Sequence, residues 1–245
     1  MSLTICLLIG FLAGFMSGMF GIGGGSVRTP LLYVAGLPLL SAFGINLLVI
    51  PFSSIIGAIS HRKNINWTFA PYVVVGGAFG SVTGAFLAGL IPTLVLAIIF
   101  VIVSFMTISG IYLDRIAPEL AQKIKPNAKN MVGGTFFINL LTGMRGGSGG
   151  SLFPPFLRAM RLDMREAIAT SLFATIFTAI AAVIIYWYRG DIIWLPALAV
   201  VIGSMAGARM GSLISLKTKH VWLEIGLSIF VVILALIVMF KALSL

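Results

Sequence analysis

Charged residues are scarce in this chain, and acidic ones are the scarcest. Only 9% of its 245 residues are charged, and 6 aspartate and glutamate residues stand against 16 lysine and arginine residues, whereas 60% are hydrophobic. A soluble domain of this size needs more charge than this to solvate its surface. The composition therefore predicts that the chain lies in a lipid bilayer.

Cysteine and histidine are nearly absent too. Cys6 is the single cysteine, so a disulfide within one chain is excluded and we expect Cys6 to pack in the interior. His61 and His220 lie far apart, and no metal site is predicted. The glycines near Ser26 lack the spacing of a dinucleotide-binding or P-loop motif, so no nucleotide or other cofactor is predicted.

Long apolar stretches make up most of the sequence instead. Most of them approach the ~20 residues with which an α-helix crosses a bilayer, so they predict an all-α, polytopic integral membrane protein. The formal charge of +10 would raise nucleic acid as a partner in a soluble protein, but the cations mostly lie between the apolar stretches, where membrane orientation explains them. The stretches are 2–20, 39–60, 67–90, 92–113, 130–144, 166–188, 192–215 and 220–240.

The sequence also repeats itself. Residues 17–32 (SGMFGIGGGSVRTPLL) align with residues 142–157 (TGMRGGSGGSLFPPFL), and the same register joins Ala42 to Ala167. A duplication is the simplest cause. It divides the chain into a first transmembrane repeat (1–113), a cytoplasmic linker (114–130) and a second transmembrane repeat (131–245).

Each repeat opens with an apolar helix that breaks at glycines and resumes for about ten residues, at 26–36 and at 151–160. Ten helical residues span ~15 Å, about half the hydrocarbon core, so we expect a broken or re-entrant hairpin followed by three transmembrane helices. Such a half makes an odd number of crossings, so the two repeats would be inverted. This arrangement also puts most loop lysines and arginines on the cytoplasmic side of the cell membrane, whereas full crossings by 2–20 and 130–144 leave them almost evenly divided between the two sides.

Three arginines fall outside the loops, at Arg28, Arg145 and Arg209. A buried arginine is costly, and Glu224 is the only plausible intramembrane carboxylate, so an external anion is the expected partner. Arg209 has two alternatives, pairing with Glu224 or reaching the cytoplasmic edge. Glycine runs at broken helices bring backbone N–H groups to a ligand, and helices restarting at Ser26 and Ser151 would point their positive dipole ends at an anion.

Other glycines follow a regular four-residue spacing that indicates helix packing. The ladders Gly10/Gly14/Gly18, Gly76/Gly80/Gly84 and Gly203/Gly207/Gly211 would let helix backbones approach closely. They would also permit a homodimer.

At these residues the sequence resembles the TauE/SafE family of sulfite exporters and toluene sulfonate uptake permeases. The resemblance rests on the pattern G-x-x-S-G-x-x-G-I-G-G-G at 14–25 with Pro30, on Ala-x-x-x-Asn at 42–46, and on a weaker second copy through Gly149 to Ser171. It implies a carrier of anionic sulfur compounds such as sulfite, sulfoacetate or other organosulfonates, often with proton coupling.

The residues and the resemblance together predict a secondary transporter of small anions in the inner or plasma membrane. A passive anion channel is the alternative, and a membrane-embedded enzyme is weaker because no catalytic cluster lies in the apolar stretches. The predicted substrate-binding residues are Gly23, Gly24, Gly25, Ser26, Arg28, Asn46, Arg145, Gly147, Ser148, Gly149, Gly150, Ser151, Thr170, Ser171 and Arg209.

Overall fold

The computed structural model describes residues 2–20, 24–116, 126–215 and 220–243, and this part of the chain is helical with no strand. In the first half, a short 3-10 turn at Arg62–Asn64 connects α3 to α4. The helices of this half are α1 (Leu3–Phe20), α2 (Gly25–Val34), α3 (Leu39–Ser60), α4 (Ala70–Ala88) and α5 (Thr93–Ile116).

The second half has the same series of long and short helices. They are α6 (Ala128–Met144), α7 (Phe153–Ala159), α8 (Met164–Tyr188), α9 (Trp194–Ser215) and α10 (His220–Leu243). Residues 117–125 of the expected linker lie outside the described residues. The flanking helices extend into the predicted linker (114–130) from both sides, because α5 continues to Ile116 and α6 begins at Ala128.

Four described helices are long and apolar enough to cross a membrane, namely α3, α4, α8 and α9. Apolar segments of 10–17 described residues also occur in α1, α5 and α10. The prediction of an all-α, multi-pass membrane protein is confirmed.

The breaks fall where the sequence places its glycine runs. In the first half, α1 ends at Phe20 and α2 begins at Gly25. In the second half, Gly146 (φ +69°) and Gly149 (φ +73°) adopt left-handed backbone that interrupts the chain between α6 and α7. Helix α7 begins at Phe153 and not at the expected Ser151. Pro154 and Pro155 follow at once, because proline is favoured in the first turn of a helix.

The glycine ladders pack helices backbone to backbone within the chain. A Cβ added at Gly207 would lie 2.0 Å from the carbonyl oxygen of Phe11, and one at Gly14 would lie 2.2 Å from that of Ser204, so α1 and α9 are in direct contact. Gly80 and Gly84 bring α4 equally close to Phe136 and Leu140 of α6. The expected packing role is confirmed at these positions. Since the ladders are used internally, they give no support to the expected homodimer, which stays a prediction.

Helix partners are exchanged between the halves. Helix α1 packs on α9, and its counterpart α6 packs on α4, the counterpart of α9. Helices α3 and α8, which are counterparts, pack on each other, and so do α5 and α10. This pattern is what a two-fold relation between duplicated halves produces, so it supports the predicted repeats.

Three contacts bear on the hairpin topology. Lys63, between α3 and α4, lines one cavity together with Arg158 and Arg165, which flank the α7–α8 loop. After α8, Arg189 donates to the carbonyl of Ala85 near the end of α4. Near the end of α10, Lys241 donates to the carbonyl of Tyr33 near the end of α2. Full crossings by α1 and α6 would separate each of these pairs across the bilayer, so the contacts favour the hairpin arrangement, which stays a prediction.

Candidate functional site

The described residues on either side of the two helix breaks meet in the buried interior. We call residues 24–28 the first tip and residues 145–151 the second tip. Arg145 of the second tip donates to the hydroxyl of Ser26 in the first (3.3 Å), and Asn46 of α3 donates to the carbonyl of Gly146 (2.6 Å). The tips therefore share one buried polar region, built from both halves of the chain.

Hydroxyl groups surround the Arg145 guanidinium. Besides Ser26, it donates to Ser104 (3.5 Å) and Thr107 (3.3 Å) of α5 and to Ser151 (3.4 Å) of the second tip. Only 6% of Arg145 is exposed, and its guanidinium carbon lies 5.8 Å from the ring centroid of Phe100. All four hydroxyl bonds are longer than the usual N–H···O distance of ~2.9–3.0 Å, so each of them is weak.

Two buried polar atoms of the second tip have no hydrogen-bond partner among the described residues, Nε of Arg145 and Oγ of Ser148. A buried unpaired polar group costs about 1–3 kcal/mol, and more when it is charged. Gly147 lies next to the first of these atoms, because a Cβ added there would be 3.7 Å from Arg145 Nε. The second tip thus presents unsatisfied donors beside a residue without a side chain.

Arg28 has a different environment. It is 2% exposed, and its guanidinium donates to the side-chain oxygen of Asn46 and to the hydroxyl of Ser204 (3.3 Å). Both acceptors are themselves anchored, since Asn46 donates to Gly146 and Ser204 donates to the carbonyl of Gly10 (3.0 Å). Arg28 is therefore part of a connected network that links the first tip to both halves.

Neither buried arginine contacts an acidic group in the described part of the chain. The partners of Arg28 and Arg145 are neutral hydroxyl and amide groups. The ion pair that the structure does show joins Arg189 to Asp191, in the loop between α8 and α9. Two positive charges thus lie close to the shared polar region without a negative partner that the structure describes.

Close packing disfavours a side chain at several positions of the tips. A Cβ at Gly149 would lie 2.3 Å from Oδ1 of Asn139 and 2.8 Å from the ring of Phe153, and its φ is positive. In the first tip, a Cβ at Gly24 would lie 2.8 Å from a guanidinium nitrogen of Arg28, and one at Gly25 would lie 2.5 Å from Nδ2 of Asn46. Gly150 has more room, with its nearest neighbour, Thr175 Oγ1, at 3.4 Å.

Helix α8 lines the second tip with hydroxyls. Ser171 donates to the carbonyl of Gly150 (3.5 Å), and Thr178 donates to the carbonyl of Ser148 (3.2 Å). Thr170 faces elsewhere, because its hydroxyl accepts from the backbone N–H of Asn66 (3.0 Å). The predicted position of Ser171 at the tip agrees with this geometry, whereas Thr170 connects α8 to the loop before α4.

Some predicted residues fall outside the shared polar region. Gly23 lies outside the described residues, and so does the side chain of Glu224. Arg209 is exposed on α9, so it does not share the burial of Arg28 and Arg145. Thr170 contacts the loop before α4 and not a tip. The other predicted residues lie in the two tips or, like Asn46 and Ser171, directly contact them.

The expected backbone donors are only partly present. Gly147 N–H already donates to the carbonyl of Thr142 (2.7 Å), and Phe153 N–H donates to that of Gly149 (2.8 Å). Pro154 and Pro155 have no N–H, so the start of α7 offers no donors to an anion, contrary to our expectation for a helix restarting at Ser151. At the start of α2, the N–H groups of Gly25 and Ser26 have no carbonyl partner within the helix, because the first intrahelical hydrogen bonds begin after them.

Sequence reasoning missed the residues that distant helices contribute. Ser104 and Thr107 lie on α5, one turn apart in an apolar segment, and Ser204 follows a ladder glycine on α9. Hydroxyls three residues apart on an apolar helix share a face, and this was the available signal. The sequence does not indicate which other helix that face meets.

A family model described as "Sulfite exporter TauE/SafE" matches residues 6–238, nearly the whole chain. The chain belongs to the TauE/SafE family. The protein is therefore a multi-pass membrane transporter of the TauE/SafE type, which lies in a lipid bilayer and moves a small substrate.

Relatives of the TauE/SafE chain have matching lengths. A "probable membrane transporter protein" of Haemophilus influenzae is 27% identical, and the alignment covers 96% of this chain and 97% of the relative. The probable membrane transporter protein YunE of Bacillus subtilis is 25% identical, with 89% and 90% covered. One from Methanocaldococcus jannaschii, MJ0441, is 28% identical, with 75% and 72% covered. No solved structure matches the chain.

Proposed function

We propose that this protein is a secondary transporter that carries small anions across the cell membrane by alternating access, with sulfite, sulfoacetate or related organosulfonates as substrates. The observation that carries the proposal is Arg145, a buried cation at a helix break whose described partners are all neutral. The family model's printed description, a sulfite exporter, supports the sulfur oxyanion class.

The cost of burying Arg145 supports an anionic ligand. A charged residue at the centre of a bilayer costs about 2.5–3.5 kcal/mol by insertion scales, and hydroxyl dipoles only partly offset this. A bound anion would pair with the guanidinium and satisfy Nε, which has no partner in the described residues. The substrate thereby supplies the missing charge.

The donors around Arg145 suit a sulfite or sulfonate group. Such a group offers three oxygens as acceptors, and the second tip offers Arg145 Nε and the hydroxyl of Ser148 as unpaired donors. Ser26 accepts a bond from Arg145, so its own proton is left to donate to a third oxygen. Ser104 and Thr107 donate to carbonyls of their own helix, which orients them as acceptors for the guanidinium.

The burial of both arginines favours a carrier over an open channel. An anion in a conducting pore meets a continuous wet path, whereas Arg28 and Arg145 are 2% and 6% exposed. The exchanged helix partners of the two halves support inverted repeats, in which one half moves against the other to expose such a site to each side in turn.

Flux into proteoliposomes tests the proposal. Labelled sulfite and sulfoacetate would be offered with and without an imposed proton gradient, and Arg145→Gln compared with Lys129→Gln, which removes an exposed cation at the start of α6. We expect saturable flux that Arg145→Gln abolishes and Lys129→Gln preserves, and stimulation by the gradient would identify protons as the coupling ion. Unchanged flux in Arg145→Gln would reject the site, and large single-channel currents would support the channel instead.

A further inference from the structure

A second polar feature lies at one end of α8, away from the tips. It is a cavity of about 630 Å³ that is lined by cations from two separate parts of the chain. Lys63 lies in the 3-10 turn before α4, and Arg158 and Arg165 flank the α7–α8 loop. Asn64, Asp163 and Glu166 also line it. We call this the α8 cavity.

The cations dominate the field of the α8 cavity. Three cations line the cavity against two carboxylates, and Asp163, the N-cap of α8, and Glu166, in its first turn, are partly offset by the positive end of the helix dipole. Glu166 also accepts from the side chain of Asn66 (3.5 Å). A concave surface with an excess of one charge sign raises the local concentration of opposite ions and the rate at which they arrive.

Helix α8 runs from the α8 cavity, which its first turn lines, to the second tip. Glu166 at its edge and Ser171 at the tip are separated by five residues of α8, about 7.5 Å along the helix axis. Between them, Thr170 accepts from the backbone of Asn66, the residue that contacts Glu166. Ser171 then donates to the carbonyl of Gly150. The cavity lining and the second tip are thus about one and a half helical turns apart along α8, on faces of the helix that are about 140° apart.

We propose that the α8 cavity is a second anion-binding site, the vestibule from which the substrate anion reaches the buried site at Arg145. This inference rests on the proposed function in taking the transported anion as its ligand. Lysines and arginines are concentrated in cytoplasmic loops, and the cavity lies among such loops, so the vestibule opens on the cytoplasmic side.

The kinetic test compares neighbouring cations. In oriented vesicles of neutral lipid, Lys63→Gln and Arg165→Gln should raise KM for sulfite presented from the cavity side several-fold at low salt and leave kcat unchanged. Arg62→Gln, which removes an exposed charge beside Lys63 but outside the lining, should leave KM nearly unchanged. The difference in KM between the cavity variants and Arg62→Gln should disappear at high ionic strength, where charges more than ~3 Å apart are screened. An equal rise in all three variants would attribute the effect to general surface charge and overturn the proposal.

Repeating the assay in vesicles with phosphatidylglycerol tests a lipid headgroup as the occupant. Headgroup binding would raise KM in wild type and Arg62→Gln but not in the cavity variants, and would overturn the vestibule. A change in KM that is equal in every variant reports only the surface potential of the vesicle. That result is consistent with a free anion as the ligand of the cavity.

Iodide quenching tests the α8 cavity independently of transport. Trp67 lies in the loop that carries Asn66, and a protein retaining it as the only tryptophan reports ions near the cavity. Lys63→Gln and Arg165→Gln should lower quenching by iodide about two-fold relative to Arg62→Gln, with no change in quenching by neutral acrylamide. If this difference appears while no tested anion is transported, the proposed substrates fail and the anion site stands. If iodide does not distinguish the variants, the site fails.

Discussion

The two tips share the aligned glycines Gly24/Gly149 and Gly25/Gly150 but place their arginines differently. In the alignment of the repeats, Arg145 corresponds to Phe20, and Arg28 corresponds to Phe153. Arg28 follows its break and donates to Asn46 and Ser204, whereas Arg145 precedes its break, donates to four hydroxyls and has an Nε without a partner in the described residues. The difference fits the proposed function, in which Arg28 holds the halves together and Arg145 binds the anion.

The largest effect should come from the backbone of the second tip. Gly149→Ala puts a Cβ 2.3 Å from Asn139 at a positive φ, and the left-handed conformation alone costs about 1–2 kcal/mol. We expect at least about 3 kcal/mol of lost stability with the clash included, seen as a large loss of monodisperse protein. Gly150→Ala is the control, because its Cβ meets only ordinary contacts with Thr175. Equal stability of the two variants would contradict the described backbone.

The next effect should come from the network at the first tip. Asn46→Ala removes an acceptor from buried Arg28 and a donor from the carbonyl of Gly146, so we expect about 2–3 kcal/mol of lost stability. Thermal denaturation in detergent measures this. Ser53→Ala, on the same helix, removes a hydroxyl that bonds only within α3 and should change the melting temperature little. A melting temperature equal to wild type in Asn46→Ala would show that Arg28 is not held in this way.

A smaller effect should appear at the hydroxyls that α5 gives to the second tip. Ser104→Ala and Thr107→Val loosen Arg145, so each should raise KM for the substrate about five-fold, or about 1 kcal/mol, with kcat and folding preserved. Thr83→Val is the control, because the Thr83 hydroxyl bonds within α4. If the α5 variants change kcat and stability in place of KM, these residues are structural.

The smallest effect should come from Tyr186, which supports the second tip from a distance. Its hydroxyl donates to the carbonyl of Gly143 (3.2 Å), two residues before Arg145. Tyr186→Phe keeps the buried ring and removes this bond, so we expect a loss of about 1 kcal/mol in stability and a KM close to wild type. A large rise in KM without loss of stability would place Tyr186 in the binding site.

Most of the fold could be predicted from the sequence. Stretch 39–60 coincides with α3, and 166–188 differs from α8 by two residues at its start, because helix length in a bilayer is set by hydropathy. The start of α7 could have been placed correctly too, since Pro154 and Pro155 mark a first helical turn.

The site was only partly predictable. Glycine runs and arginines within apolar stretches are local signals, and they led to Gly149, Arg28 and Arg145 as candidate site residues. The hydroxyls of Ser104 and Ser204 belong to helices that meet the tips through tertiary packing. Their contribution depends on how each helix is rotated, which no short stretch of sequence encodes. The difference in anchoring between the two arginines is a property of the packed structure in the same way.

The most direct test of this account is equilibrium binding of labelled sulfite to the purified protein, comparing wild type with Arg145→Gln and Arg28→Gln. We expect Arg145→Gln to raise Kd at least about fifty-fold, or about 2.3 kcal/mol, in protein that remains folded. It predicts that Arg28→Gln lowers the melting temperature and changes Kd of the folded fraction much less. Equal losses of affinity in both variants, or a larger loss in Arg28→Gln, would contradict the assignment of the ligand to Arg145.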